Sequence, residues 1–486
     1  MYCQDWLARR ASLTPHKPAL ITADGREITY ERLNAEAGQL ASSLAGRGMG
    51  KGERVAVLAQ NGPEYLELFF AVQKLGLVLV PLNYRLSVKE LEFILRDSGS
   101  SLLLYDESQE ATAANLNRSC PSLPIKRAFA FNTSGQDKDA VVDGEDIWVI
   151  LYTGGTTGFP KGSRLSYRMI TWNAFNTVVS WGLGHSDRAP VYTPFFHTGG
   201  LNVLTTPLIM AGGTTILPGP FQAGQALEII SRYKPTVVFM VPTMYKMLLE
   251  QSLFDKTDFG SVRFCIAGGA PCPVDVSEAF ARRGILFRQG YGLTEGGPNC
   301  FWLPDEYAAG KPGAVGRPVF FNEVRLVDQE AQPVRPGQVG ELTMRGPHLF
   351  SGYWRNEKAT HDALVDGWLF TGDLAACDED GHYHIVDRKK DVIISGGENI
   401  YPAEIEAVLS VHPAVAEAAV VGVPDELWGE VPKAVLVLKD GFQISAEEVV
   451  SFCAVRLGRY KKPKTVEFRP ALPKSATGKI LKRELK

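Results

Sequence analysis

The chain has no long apolar run. Its most apolar window, LFFAVQKLGLVLVPL at 68–82, is interrupted by Gln73 and Lys74. It stops short of the ~18–20 residues of a membrane span, so stable membrane insertion is not expected. The seven cysteines (3, 120, 265, 272, 300, 377 and 453) contain no C-x-x-C. That spacing offers no thiolate metal site, and an odd, scattered set fits reduced thiols in the cytoplasm. The opening MYCQDWLARRAS carries no apolar signal core, which also points to a cytoplasmic protein. Neither sign of charge dominates: a net charge of −3 gives no general pull toward nucleic acid or anionic membrane. Internal repeats and low-complexity segments are absent. One-sided charge occurs only at the end, where 456–486 holds eleven Lys/Arg against two Glu, with Tyr460 and Phe468 as its aromatics. A nucleic-acid surface would interleave cations with stacking rings. The expected partner is a phosphate-bearing small molecule, not nucleic acid.

At 486 residues, with 45% hydrophobic and 22% charged residues, the chain is globular and too long for one core. Strand-like and helical patterns alternate at first: RVAVLAQ (54–60), EYLELFFAVQKLG (64–76), SLLLYD (101–106), LEIISRYK (227–234), TVVFMV (236–241). Such alternation predicts parallel sheets covered by helices. From 312 to 386 short strands with Gly/Asp turns predict a β-rich subdomain. After the charged run DRKKD (387–391) a compact α+β unit begins, so that run is a candidate hinge. The two histidines of HYH (382–384) cannot close a metal site alone and are expected on an ordinary exposed strand face.

The stretch LYTGGTTGFPKGSRLS (151–166) concentrates glycine, hydroxyl residues and Lys161. Glycine lets backbone N–H groups approach a ligand, and hydroxyls add donors. The order Pro160-Lys161-Gly162 breaks the Walker spacing. Before the stretch, DIWVILYT (146–153) reads as a buried strand. After it, Ile170, Ala174, Thr177, Val178 and Trp181 form a helical stripe. The expectation is strand, loop, helix, with the loop holding a polyphosphate.

Six stretches then stand in order: YTGGTTGFPKG (152–162), PFFHTGG (194–200), QGYGLTEGG (289–297), GWLFTGDL (367–374), DRKKDVIISGGENIYPAEIE (387–406) and PKSATGKILKREL (473–485). Together they resemble the adenylate-forming superfamily, specifically AMP-forming acyl-CoA ligases. The resemblance covers essentially the whole chain. It implies an α/β protein: a large N-terminal domain of helix-covered mixed and parallel sheets plus a β-rich subdomain (1–388), and a small mobile α+β C-terminal domain (389–486). Lys390 would be the hinge. ATP, Mg2+ and coenzyme A are the implied cofactors, and a small-molecule carboxylic acid is the substrate. A homodimer is left open.

The same resemblance implies roles. Thr153, Gly154, Gly155, Thr156, Thr157 and Lys161 would cradle the β- and γ-phosphates, although the family more often has serine at the place of Gly154. Gly269, Ala270, Pro271, Gln289, Gly290, Tyr291 and Gly292 would line the adenine pocket. Thr294 would reach the α-phosphate and Glu295 would hold Mg2+. Asp373 would accept from the ribose hydroxyls, with Ile385 and Arg388 beside the nucleotide. Lys479 would bridge the attacking carboxylate and the α-phosphate. His197 would line the acyl site; Phe196-His197 offers no acid for an amino-acid ammonium. Ser395, Gly396, Gly397 and Glu398 would build the pantetheine tunnel. The acyl segments near 192–203, 267–271 and 290–300 are apolar or small, which favours a medium- or long-chain fatty acid. An aryl acid or o-succinylbenzoate is the alternative; a luciferase-like oxygenase or a catalytically inactive sensor is disfavoured.

Overall fold

The computed structural model describes residues 5–129, 140–153, 160–474 and 480–486. These divide into two compact units, one formed within Met1–Val324 and Met344–Leu369, the other within Arg325–Thr343 and Phe370–Lys486.

The first unit is α/β. Its six-stranded sheet has the order Ser122–Pro124, Leu102–Tyr105, Arg54–Leu58, Val78–Pro81, Ile147–Thr153, Lys161–Ser166, parallel except for the last pair. The apolar window of 68–82 divides between helix Pro63–Leu75, buried from Tyr65 to Gln73, and the buried strand Val78–Pro81, with Gly76 at φ 65° turning between them. An apolar run buried on every side needs no lipid. Among the described residues no helix is long and apolar enough to cross a membrane, and the described cysteines are free thiols. The fully buried Trp148 anchors this sheet: its ring stacks on Phe69 at 4.4 Å and Tyr167 at 4.8 Å, and its N–H donates to Phe69 O at 3.1 Å.

Here one expectation is corrected. The strand over 147–153 and the helix Tyr167–Trp181 are present, but a second strand, Lys161–Ser166, lies between them and pairs antiparallel with the first. The strand Lys161–Ser166 thus stands between the stretch expected to hold a polyphosphate and the helix. The helix N-terminus is capped instead by Ser166, which accepts from Met169 N at 3.2 Å.

A second sheet of this unit runs Val237–Met240, Phe264–Ala267, Leu286–Gln289, all parallel. Their C-terminal ends lead straight into the segments that begin at 241, 268 and 290. In open parallel sheets that edge is where ligands bind.

In the second unit, residues 373–377 of strand Trp368–Cys377 pair with strand Tyr383–Arg388, Asp373 opposite Arg388. A five-stranded sheet follows, with strands Glu398–Ile400, Ile393–Ser395, Gly429–Leu438, Val415–Asp425 and Thr465–Phe468. Helices Pro402–Ser410 and Ala446–Ala454 contribute Ile405, Leu409, Val449 and Cys453 to its core. The exposed face expected for HYH is not found. His382 is fully buried, ahead of the strand, and only His384 is partly exposed. The reason is the Asp378–Gly381 turn: Asp378 accepts from Asp380 N at 3.0 Å and His382 N at 2.9 Å, and folds its carboxylate against both imidazoles.

Candidate active site

In the first unit, Gln289 staples two strand ends together. Its amide N–H groups donate to Ala270 O at 3.2 Å and Gly290 O at 2.9 Å, and its oxygen accepts from Cys272 N at 2.8 Å. Gly269 sits at φ 84°, and Gly269, Ala270 and Pro271 are exposed. The structure thus brings together Gly269, Ala270, Pro271, Gln289 and Gly290, the residues expected at the adenine, with the first three exposed. Tyr291 follows, half-buried, its ring edge-on to Phe301 at 5.8 Å.

Residues 292–298 close tightly on themselves. Leu293 N donates to Gly297 O at 3.2 Å and Cys300 N to Tyr291 O at 3.0 Å. A Cβ at Gly292 would lie 2.1 Å from Pro298 O, so only glycine fits. This turn presents Thr294, buried, and Glu295, half-buried. The Glu295 backbone oxygen accepts from Phe350 N at 2.8 Å, and its carboxylate Oε1 accepts the Tyr353 hydroxyl at 2.8 Å. Burial and the Glu295 charge push the Tyr353 phenol well up, so it stays a donor.

The hairpin of Ile147–Thr153 and Lys161–Ser166 meets the same segment. Trp354 N donates to Gly162 O at 2.7 Å, Arg164 N to Gly352 O at 2.9 Å and Ser351 N to Arg164 O at 2.9 Å. Lys161, opposite Thr153 in the hairpin, holds its ammonium 5.3 Å from the centre of the Tyr353 ring. Gly154, Gly155, Thr156 and Thr157 lie outside the described residues, as does Lys479.

His197 is half-buried and caps a short helix: its Nδ1 accepts from Gly199 N at 3.1 Å. An accepting Nδ1 puts the proton of neutral imidazole on Nε2. A π-helical turn, Leu201–Thr205, follows. Buried amides hold it: Asn173 donates to Asn202 O at 2.8 Å, and Asn299 to Val203 O at 2.9 Å and to Thr177 Oγ1 at 2.8 Å. The His197 segment and the Thr294–Glu295 turn are thereby tied to one helix, Tyr167–Trp181. Phe239, buried in the core, packs against both Gly199 and Gly268. A Cβ at Gly268 would come 2.8 Å from its Cε2, and one at Gly199 3.8 Å from its Cε1. Neither Tyr353 nor this asparagine network is read from the sequence; the Tyr353–Glu295 pair spans 58 residues.

In the second unit, Asp373 is buried and its Oδ1 lies 3.2 Å from Arg388 Nε. Gly372 N and Lys389 both reach Glu341, at 3.2 and 2.7 Å. Ile385 pairs with Ala375 on the same hairpin. Lys390 is exposed in the turn Lys389–Asp391. Beside it, the Asp387 carboxylate accepts from Ala403 N at 2.8 Å, capping helix Pro402–Ser410 from a distance. Ser395 pairs with Glu398 across a two-residue turn whose Gly396 (φ 58°) and Gly397 (φ 86°) demand glycine. Gly396 also packs on Trp428: a Cβ would lie 2.7 Å from Cε3, and its N–H donates to Trp428 O at 2.8 Å.

The chain is similar to known proteins over nearly its full length. The family AMP-binding enzyme matches residues 7–354, and AMP-binding enzyme C-terminal domain matches 404–479. A feruloyl-CoA synthase from Amycolatopsis is 42% identical over 99% of this chain and 98% of its own. The o-succinylbenzoate CoA synthetase of Bacillus subtilis, solved with its acyl-adenylate, superposes with TM-score 0.93 at 35% identity, covering 99% of this chain and 98% of that one. The same enzyme with ATP and magnesium superposes with TM-score 0.91 at 34% identity over 99% of both chains.

Proposed function

The chain belongs to the AMP-binding enzyme family, and on that premise we propose that it joins an aryl carboxylic acid to coenzyme A. It is an AMP-forming acid–thiol ligase that activates its acid with ATP. A carboxylate oxygen attacks the α-phosphorus of ATP and pyrophosphate leaves. The thiol sulfur of CoA then attacks the acyl carbon, and AMP leaves. The protein's part is to position reactants and neutralise charge.

The residues divide that work. Lys161 and the Thr153-containing hairpin face the outer phosphates, Gln289 and the 269–271 rim face the adenine, and the Asp373 carboxylate suits ribose hydroxyls. Glu295 suits Mg2+: it is a hard oxygen ligand with one oxygen held, and among the described residues its Oε2 takes no hydrogen bond. When bound, Mg2+ would neutralise phosphate charge as a Lewis acid. Lys479 completes the adenylation site in this reading. After adenylation, residues 389–486 would turn about Lys390 and bring Ser395–Glu398 to the thiol, two arrangements of one chain.

The acid class rests on one observation. Residues 192–203, 267–271 and 290–300 contain no Lys or Arg, and Phe239 packs against Gly199 and Gly268 of these segments. A second carboxylate buried there would cost several kcal/mol without a cation. An uncharged ring, such as a cinnamate with hydroxyl or methoxyl substituents, meets Phe239 favourably. The named relatives act on aromatic acids, which supports the aryl alternative over the fatty acid. The test is pyrophosphate release, with and without CoA, across cinnamates, benzoate, o-succinylbenzoate and saturated acids. Highest kcat/KM on a substituted cinnamate is expected. A series that climbs with alkyl length would overturn the aryl assignment; a preference for o-succinylbenzoate would overturn the reading of a ring without a second carboxylate.

A further inference from the structure

A metal-binding carboxylate on a turn is only as well placed as the group that holds it. Among the described residues, the Glu295 carboxylate is held by the Tyr353 hydroxyl. The tyrosine backbone is itself fixed from two sides: its N–H donates to Thr360 Oγ1 at 2.8 Å, and it bridges Ser163 in the phosphate hairpin. Its ring packs edge-on to Phe350 at 5.0 Å, and Phe350 N holds the backbone oxygen of Glu295. On the other side stands the Lys161 ammonium, 5.3 Å from the ring centre. One side chain thus touches both the acid and the lysine of the phosphate side.

We propose that Tyr353 is the positioning residue of the adenylation step, orienting Glu295 through its hydroxyl and Lys161 through its ring. The inference rests on the reading of Glu295 as the Mg2+ ligand. The chemistry favours a phenol in this place. An arginine or lysine would neutralise Glu295 and compete with the metal, whereas a neutral donor fixes one oxygen and leaves the charge for Mg2+. The ring contact steadies a lysine without consuming its charge.

The experiment measures calorimetric binding of Mg2+ in the presence of a non-hydrolysable ATP analogue, alongside kinetics. Tyr353→Phe keeps the ring and should weaken Mg2+ binding ~10-fold or more, with the KM for the acid unchanged. Tyr353→Leu should also weaken binding of the analogue without metal. Tyr353→His, which retains a ring and a donor, should recover part of the metal affinity. Wild-type Mg2+ binding in Tyr353→Phe, while Glu295→Gln has lost it, overturns the proposal and spares the Glu295 reading. Wild-type Mg2+ binding in Glu295→Gln overturns both. A Tyr353→Phe defect that raises the acid KM equally would mark a general structural role and also overturn the proposal.

Discussion

The two units hold their key carboxylates in opposite ways. Asp373 faces a cation, Arg388 at 3.2 Å, delivered by the register of one hairpin. Glu295 faces a neutral phenol brought from far along the chain. A paired, buried carboxylate has its charge answered and suits neutral hydroxyl donors. An unpaired one held by a phenol keeps its charge for a cation. Glu67 shows a third case: it is buried on helix Pro63–Leu75, and burial, with Glu36 beside it, pushes its carboxyl up to about 9.

Four measurements break or sharpen this contrast. Glu295→Gln removes the unanswered charge and should slow ATP–pyrophosphate exchange by ~10²–10³; thioester formation from supplied acyl-adenylate should survive. Equal loss in both half-reactions would mean that Glu295 does not serve the phosphates. Lys390→Pro fixes φ in the exposed turn. CoA-dependent turnover should drop by an order of magnitude or more, measured against a preserved exchange rate. Asp373→Asn leaves an amide facing Arg388 and weakens the acceptor. The KM for ATP should rise ~10–100-fold, with Mg2+ dependence unchanged; a shift in metal dependence would erase the distinction from Glu295. The smallest effect is on stability. The folded protein keeps Glu67 protonated while the unfolded chain releases that proton above its ordinary value of 4.5. Stability from this group is therefore full at low pH and declines as pH rises toward about 9. Glu67→Gln should remove up to ~1.4 kcal/mol per pH unit of that slope, read from denaturant melts at several pH values.

Legibility followed sequence distance. The strand at 147–153 and the helix stripe through Ile170 and Trp181 announce themselves by period, and the six stretches announced the ligase. The strand Lys161–Ser166 is not legible in the sequence because Lys161-Gly162-Ser163 reads as loop; its pairing with 147–153 is tertiary. His382 is buried by a turn that follows Asp378, and no local pattern reports what covers a strand. Tyr353 could not be found from Glu295, because nothing in spacing links two residues so far apart. The preference for a fatty acid drew on apolarity alone. Transfer free energy scales with area and does not tell an alkyl chain from a ring; Phe239 supplies the shape that composition lacks.

Asp387 gives the proposed swing a clock. It precedes Lys390, while Ala403, whose N–H it accepts, follows. In the proposed swing, rotation about the residue between them would part the two ends of that hydrogen bond. A cap of this kind contributes ~1 kcal/mol, which corresponds to about fivefold in dwell time on one side of the turn. Weakening it by Asp387→Asn would shorten that dwell without touching either reaction. On the proposed swing, the interval between the two half-reactions would depend on this one carboxylate.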